Sequence, residues 1–197
     1  MANLILASQS PRRQELLRQV GLRDFTVLAS AADESYDPDW GPEELVGRLS
    51  ARKAAAAAAL AGGAPIIIAA DTMVFLDGRR LGKPRDEADA FSMLSALSGR
   101  EHNVCTGVTV RQGDIVRTEA ETTSVTFRSL TAEEIRRYIA TGEPMDKAGA
   151  YGIQGRGALL VEGIRGDYFN VMGLPLLLLM RMLRPFGLDL FTEWGEP

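Results

Sequence analysis

The sequence is poor in the two residue types that most often bind zinc or form disulfides. Its 197 residues include one cysteine, Cys105, and one histidine, His102. A single cysteine cannot form an internal disulfide, which is typical of proteins from a reducing compartment. One cysteine and one histidine are also too few for a thiolate-rich zinc site. We therefore expect a cytoplasmic protein whose stability comes from a hydrophobic core.

Long apolar runs and an excess of basic charge are lacking as well. The longest apolar segment, residues 171–180, contains Pro175 and is far shorter than the ~20 residues that span a bilayer. The formal net charge is −4, with no long run of lysine or arginine, whereas duplex-binding proteins carry a basic surface. The first ten residues lack the basic start and apolar stretch of a signal peptide. We expect neither a membrane nor a nucleic acid as a partner.

Strand and helix patterns alternate along the chain, which predicts an α/β protein with a mixed sheet. Residues 66–70 form a continuous apolar run, which is typical of a strand buried on both faces. Local patterns mark the ends of other elements. They predict helix starts at Pro11 and Pro42, a capping box at Thr131 and Glu134, and hairpins at Asp77-Gly78 and around Gly166.

The domain organisation is predicted to be simple. Hydrophobic residues make up 46% of the chain, which is enough for a sizeable core. No internal repeat or domain linker interrupts the alternation of strands and helices. We therefore predict one domain over residues 1–184, followed by a C-terminal tail over residues 185–197.

Two arginines lie in the first turn of the first predicted helix. The partial positive charge of a helix N-terminus makes Arg12 and Arg13 electrostatically unfavourable there, by a few tenths of a kcal/mol each. Backbone amides and guanidinium groups together would make a good anion site, and Ser8 shapes the turn just before them. The alternative is two solvated arginines, one of them paired with Glu15.

Carboxylates follow two of the predicted strands. Asp71 comes directly after the buried run 66–70, and Asp33 and Glu34 follow a second strand that we predict over residues 25–29. In open α/β sheets ligands gather beyond the carboxyl ends of strands, and Mg²⁺ commonly binds one or two carboxylates plus substrate phosphates. Asp71 with Glu34 could supply such a site. The alternatives are an Asp71 that caps a turn with Thr72 and an acidic pair that is merely solvated.

Two lysines could complete a phosphate site, although no known phosphate loop is present. Lys53 lies on a long predicted helix, where a solvated lysine is the default, and Lys83 lies in a stiff loop before Pro84. The segment from Gly78 to Lys83 has three residues between its glycines where a P-loop needs four, and Pro84 replaces the magnesium-binding Ser/Thr. It is therefore not a P-loop.

Five short elements occur in the order in which they are found in the Maf family of nucleotide pyrophosphatases. The resemblance covers roughly residues 3 to 183, and five elements in register make it specific. The elements are Leu6-Ala7-Ser8-Gln9-Ser10-Pro11-Arg12-Arg13, Ala69-Ala70-Asp71-Thr72, Leu81-Gly82-Lys83-Pro84, Ala148-Gly149-Ala150-Tyr151-Gly152-Ile153-Gln154-Gly155 and Gly173-Leu174-Pro175.

The resemblance implies a fold, a reaction and an assembly. The implied fold is an elongated mixed β-sheet flanked by helices, with two lobes and a central nucleotide-binding cleft. The implied reaction is hydrolysis of a nucleoside triphosphate to its monophosphate and pyrophosphate, with Mg²⁺ or Mn²⁺ as the cofactor. The resemblance also implies a homodimer and a link to cell-division arrest.

The resemblance further implies roles for nine residues. Asp71 matches the family's proton acceptor and Glu34 a metal-associated carboxylate, so both are expected at the metal. The other matches are to residues at the phosphates and to residues linked to substrate choice. The first group is Ser8, Arg13, Lys53 and Lys83, and the second is Arg12, Thr72 and Gln154.

The run from Ala148 to Gly155 resembles the subgroup that hydrolyses dTTP and UTP, with modified pyrimidine nucleotides as further candidates. The sibling subgroup that prefers 7-methyl-GTP has an acidic residue at the position of Gln154. A glutamine amide offers both a donor and an acceptor to a uracil or thymine edge. Two alternatives stay open: a pyrophosphatase of 7-methyl-GTP or another non-standard nucleotide, and a non-catalytic nucleotide-binding regulator of division.

Overall fold

A computed structural model describes residues 3–29 and 31–191 and confirms the predicted mixed α/β architecture. None of the helices in these ranges is long and apolar enough to cross a membrane. The strands are β1 (Leu4–Leu6), β2 (Thr26–Val27), β3 (Ile66–Leu76), β4 (Arg79–Leu81), β5 (Glu101–Gln112), β6 (Ile115–Phe127) and β7 (Val161–Arg165). The helices are α1 (Pro11–Gln19), α2 (Pro42–Leu60), α3 (Glu87–Leu97), α4 (Ala132–Ile139), α5 (Tyr168–Met172) and α6 (Leu176–Leu183).

The strands of the described ranges form a single mixed sheet. Their order is β2-β1-β3-β5-β6-β7, and β4 pairs with β3 outside this path. β1 is parallel to both β2 and β3, whereas the β3–β4 and β6–β7 pairs are antiparallel. Parallel pairing near the start of the chain follows from the helices that connect these strands, since parallel strands need a long crossover connection.

The chain divides into two compact units, each built from separate segments. The first unit contains the residues up to Asp71, Thr106–Glu121 and the residues from Gly173 onward. The second unit contains Thr72–Cys105 and Thr122–Met172. Strands β3, β5 and β6 therefore each contribute residues to both units.

Each unit has its own buried apolar cluster. In the first unit, alanines of α2 share a cluster with side chains of β1 and β3, so the small side chains of the run from Ala54 to Ala59 let the helix lie close to the strands. In the second unit, α3 and α4 supply apolar residues to a cluster that includes β6 and the segment before β7. Members of the second cluster include Leu94, Leu97, Phe127, Ile135 and Tyr151.

The predictions that rest on local chemistry are confirmed. Helices begin at Pro11 and Pro42, where a missing amide costs nothing. Thr131 Oγ1 accepts from the Glu134 amide at 3.2 Å, and Glu134 Oε2 accepts from the Thr131 amide at 2.7 Å, which is the predicted capping box. Asp77 and Gly78 connect β3 to β4 with φ angles of 50° and 77°, as a two-residue hairpin turn requires.

The hairpin predicted around Gly166 is wrong. The chain enters helix α5 there instead of a further strand. Asp167 Oδ1 accepts hydrogen bonds from the amides of Phe169 at 2.7 Å and Asn170 at 3.3 Å. This capping by an aspartate favours a helix start over a second strand. The bulky run 169–172 therefore forms most of a short helix, with Asn170 buried.

The predicted C-terminal tail is only partly described. Residues 192–197 lie outside the described residues. Before them, Leu188 and Leu190 are buried, with exposed fractions of 7% and 4%. The domain boundary at residue 184 stays a prediction.

Candidate functional site

Asp71 lies inside a strand and not beyond its end. The sequence predicted a strand that stops at Ala70, but β3 continues to Leu76 because residues 74–76 are also apolar and buried. The prediction that Asp71 lies beyond the carboxyl end of its strand is therefore wrong. The carboxylate instead projects from the middle of a long strand, and the residue is only 7% exposed. A charged group buried to this degree needs a partner.

Lys53 is that partner, and it also joins the two candidate metal-binding carboxylates. Its Nζ donates a hydrogen bond to Asp71 Oδ1 and lies 3.1 Å from Glu34 Oε1. Helix α2 holds the lysine with its side chain 19% exposed, whereas the Glu34 side chain, in the loop after β2, is 70% exposed. The structure thus brings one buried and one exposed carboxylate to the same cation.

The second carboxylate oxygen of Asp71 is available for a ligand. Among the described residues no group donates a hydrogen bond to the buried Oδ2. No cluster of three or more His, Cys, Asp or Glu side chains in residues 3–29 and 31–191 could form a metal cage made of protein alone. Two carboxylates are, however, the set that Mg²⁺ commonly uses together with substrate phosphates. Asp71 and Glu34 therefore fit a divalent cation that is held partly by phosphate.

Arg13 is held in place by groups of the same unit. Its Nε donates to the Gly173 carbonyl oxygen at 2.8 Å, and its Nη1 donates to Ser8 Oγ at 3.1 Å. Burial lowers the pKa of Arg13 to about 10, although the charge of Asp71 acts in the opposite direction. The guanidinium is still charged at neutral pH and interacts electrostatically with Asp71. Arg12, beside it in the first turn of α1, is half-buried.

Arg52 anchors the loop that carries Glu34, a role that the sequence did not suggest. Its Nη1 donates to the carbonyl oxygens of Asp33 and Ser35, the residues on either side of Glu34. Its guanidinium carbon also lies 5.5 Å from the centre of the Trp40 ring. The sequence contained no signal for this contact, because the partners are 17 and 19 residues away and two of them are backbone atoms.

The remaining candidate residues belong to the second unit. Thr72 is half-buried in β3, whereas Lys83 and Gln154 are exposed on loops. The Gly82 carbonyl oxygen accepts a hydrogen bond from the Gly149 amide at 3.0 Å. The loop with Lys83 is therefore tied by its backbone to the segment that leads to Gln154.

A buried carboxylate with a free oxygen, a lysine between two acids and a fixed arginine can together activate water beside an anionic group. The fold and these side chains suit an α/β enzyme that acts on a phosphate-bearing substrate. The family model described as "Maf-like protein" matches residues 3–186. The chain belongs to the Maf family.

Relatives with closely similar sequences extend over the whole chain. A protein of Symbiobacterium thermophilum named dTTP/UTP pyrophosphatase is 54% identical over 98% of this chain and 98% of its own. A protein of Moorella thermoacetica with the same name is 53% identical over 100% of both chains. Among solved structures, the Staphylococcus aureus Ham1 protein matches 64% of this chain and 71% of its own, with 16% identity and a TM-score of 0.46. The family assignment depends on the sequence matches.

Proposed function

We propose that the chain hydrolyses UTP and dTTP to the monophosphate and pyrophosphate. The observation that carries this proposal is the arrangement at Asp71, whose buried carboxylate has one oxygen on Lys53 and the other free for water. The names of the relatives, which are about half identical along the full chain, support the choice of substrates.

Asp71 is proposed as the general base. Its Oδ2 takes a proton from water as the water oxygen bonds to the α-phosphorus. The bond from that phosphorus to the bridging oxygen breaks, and the electron pair leaves with pyrophosphate. Because Oδ1 is held by Lys53, the carboxylate is oriented before substrate binds, and this preorganisation is what a positioned base needs.

Positive groups are proposed to stabilise the charge that develops on the phosphates. Arg13, fixed by Ser8 and Gly173, offers a preoriented guanidinium, which suits phosphate oxygens because its donors form a planar fork. We assign Lys53 and Lys83 to the same task through charge placement. Their contribution does not require proton transfer.

Glu34 would hold a divalent cation directly, and Asp71, whose Oδ2 is proposed to take the proton from water, would hold it through that water. When bound, Mg²⁺ or Mn²⁺ would polarise phosphate oxygens and neutralise charge on the leaving group. Lys53 already contacts both carboxylates, so it limits their mutual repulsion before a cation binds.

Substrate choice is assigned to Arg12, Thr72 and Gln154. The exposed Gln154 amide can donate to a carbonyl oxygen and accept from the ring N–H of uracil or thymine. Assembly as a homodimer, location in the cytoplasm and a link to cell division stay predictions from the sequence.

The test is pyrophosphate release from dTTP, UTP, CTP, GTP and 7-methyl-GTP with Mg²⁺ or Mn²⁺. We expect release from dTTP and UTP, and a loss of at least about a hundredfold in the D71N variant, as is usual when a general base is removed. The matched control is D77N, which makes the same change at an exposed carboxylate in a turn that tolerates asparagine. D77N should unfold at a temperature close to that of the wild type, and D71N is assayed well below its own unfolding temperature, because it removes the carboxylate that pairs with Lys53.

The activities on these five nucleotides distinguish the proposed function from the alternative functions. Turnover of 7-methyl-GTP alone would support the proposed type of reaction but would exclude recognition of a pyrimidine base by Gln154. Binding of nucleotide without turnover would favour a regulator of division. Near-normal activity of D71N would exclude Asp71 as the base.

A further inference from the structure

The segment around Gln154 is held by side chains and not by sheet pairing. Three backbone amides near it, those of Gly152, Arg156 and Gly157, donate to side-chain oxygens of residues 138–143. The amides lie on both sides of Gln154 along the chain. Whatever fixes them also fixes the path of the backbone from which the glutamine side chain extends.

Glu143 holds the C-terminal side of this segment. Its Oε2 accepts from the Arg156 amide and its Oε1 from the Gly157 amide, both at 3.1 Å. A carboxylate that binds two consecutive amides with its two oxygens defines the orientation of the peptide between them. Such charge-assisted hydrogen bonds are stronger than neutral ones.

Tyr138 connects this carboxylate to the N-terminal side of the segment. Its hydroxyl donates to Glu143 Oε1 at 2.9 Å and accepts from the Gly152 amide at 3.3 Å. The two sides approach closely, since a Cβ at Gly157 would lie 2.2 Å from the Gly152 carbonyl oxygen. The Glu143–Tyr138 pair therefore fastens both ends of the turn that contains Gln154.

The pair itself is fixed independently of Gln154. Lys147 Nζ donates to the Glu143 carbonyl oxygen at 2.5 Å, and the Glu143 amide donates to Thr141 Oγ1 at 3.2 Å. Burial acts to raise the pKa of Glu143, but hydrogen bonds from Gly157, Arg156 and Tyr138 outweigh it and lower the pKa. The carboxylate is therefore ionised at neutral pH.

We propose that Glu143, through Tyr138 and the amides that flank Gln154, is a positioning residue that sets the preference for the nucleotide base. This inference rests on the proposed function, because it assigns to Glu143 the support of the glutamine that reads the base. Neither side chain touches the reacting atoms. Their removal should weaken base discrimination while the chemical step continues.

The experiment compares wild type with E143Q and Y138F. The first change leaves an amide nitrogen that cannot accept from a backbone N–H, and the second removes only the hydroxyl. We expect the preference for UTP over GTP in kcat/KM to fall by about tenfold, or about 1.4 kcal/mol, mainly through a higher KM for UTP. Hydrogen exchange at Gly152, Arg156 and Gly157 should accelerate. The control is E133Q on helix α4, where the glutamate makes an exposed ion pair.

Coupling to Gln154 distinguishes positioning from a general effect on the fold. In a Q154A background, E143Q should cause no further loss of base preference, because the group that it positions is absent. An equal loss in both backgrounds would overturn the proposal. If E143Q fails to fold, Y138F gives the same comparison.

The affinities for UMP and GMP, measured by calorimetry, test the positioning role of Glu143 independently of the proposed hydrolysis. A UMP preference that E143Q abolishes would support the proposal even if no triphosphate is hydrolysed, and only the proposed reaction would then fail. If E143Q leaves the preference for UMP unchanged, the proposed positioning role of Glu143 is overturned. A wild type that does not distinguish UMP from GMP would overturn it as well.

Discussion

Gly107 in β5 lies against Val46 in α2 so closely that a Cβ at Gly107 would be 2.3 Å from the Val46 carbonyl oxygen. The obstacle is backbone, which cannot rotate away as a side chain would. Val46 precedes Lys53 by about two helical turns, so this contact also helps to determine where the candidate lysine lies.

The first prediction is that G107A destabilises the protein and weakens catalysis together. Forcing a methyl group into a packed position typically costs about 1–3 kcal/mol, and the shift of α2 should displace Lys53. Urea unfolding and kcat measure the two effects. The control is G62A, where a Cβ meets nothing within 4 Å. Equal stability of the two variants would show that α2 can move without cost.

The second prediction concerns the divalent cation. EDTA should stop turnover, and E34Q should raise the Mg²⁺ concentration for half-maximal activity by about tenfold or more, because one charged oxygen ligand is lost. Glu34 is exposed, so the stability of the fold should change little. E44Q, which alters an exposed ion pair on α2, is the matched control. Activity that survives complete removal of metal would contradict the assignment of Glu34 and Asp71.

The third prediction is a change in substrate choice on altering Gln154. In Q154E the carboxylate cannot donate to a base carbonyl, so kcat/KM for UTP and dTTP should fall by about 10–100-fold. The melting temperature should stay the same because residue 154 is exposed. Q19E makes the same chemical change at an exposed position of α1 and should act like wild type. Unchanged selectivity in Q154E would rule out base reading by this residue.

The fourth prediction is a pH dependence of stability that comes from His102. The ring is buried, its Nε2 lies 2.8 Å from the Tyr151 hydroxyl, and its centre is 5.0 Å from that of Phe127. Burial lowers the pKa of His102 to about 4. The unfolded chain therefore binds a proton near pH 6.5 that the folded chain does not bind until about pH 4.

Between these two pH values the free energy of unfolding should fall with decreasing pH, by at most about 1.4 kcal/mol per pH unit for this group. Above pH 6.5 the histidine should contribute no pH dependence. Urea unfolding at pH 7.5, 6 and 5 tests the slope, which should be reduced in H102Q. Because the chain has one histidine, its NMR signal needs no assignment once any purification tag is removed. Titration of the folded protein near pH 6.5 would contradict the prediction.

The parts of the fold that could be predicted depend on residues close together in the sequence. Thr131 and Glu134 lie within one helical turn, and Asp77-Gly78 forms its hairpin with its immediate neighbours. The prediction at Gly166 failed because Asp167 could cap a helix as well as end a turn. The length of β3 was underestimated because the polar Asp71 interrupts an apolar run, although a lysine neutralises it in the folded protein.

The identities of the candidate site residues came from motifs, but their partners could not be predicted. Arg13 is bound by a carbonyl oxygen 160 residues away, and Asp71 by a lysine 18 residues before it. Glu143 and Arg52 were missed because each acts on backbone groups, which every residue possesses. Contacts of this kind arise from tertiary packing and leave no mark in a local pattern.

The division of the chain into two units also constrains how this enzyme can be altered by recombination. The units alternate along the chain, with junctions at residues 71/72, 105/106, 121/122 and 172/173. A single crossover between related genes would therefore exchange pieces of both units. Asp71 and Thr72 are separated by one of these junctions, so a hybrid that inherits the proposed base Asp71 from one parent and Thr72 from the other must join at that one peptide bond. A hybrid that exchanges one unit whole therefore needs crossovers at several of these junctions.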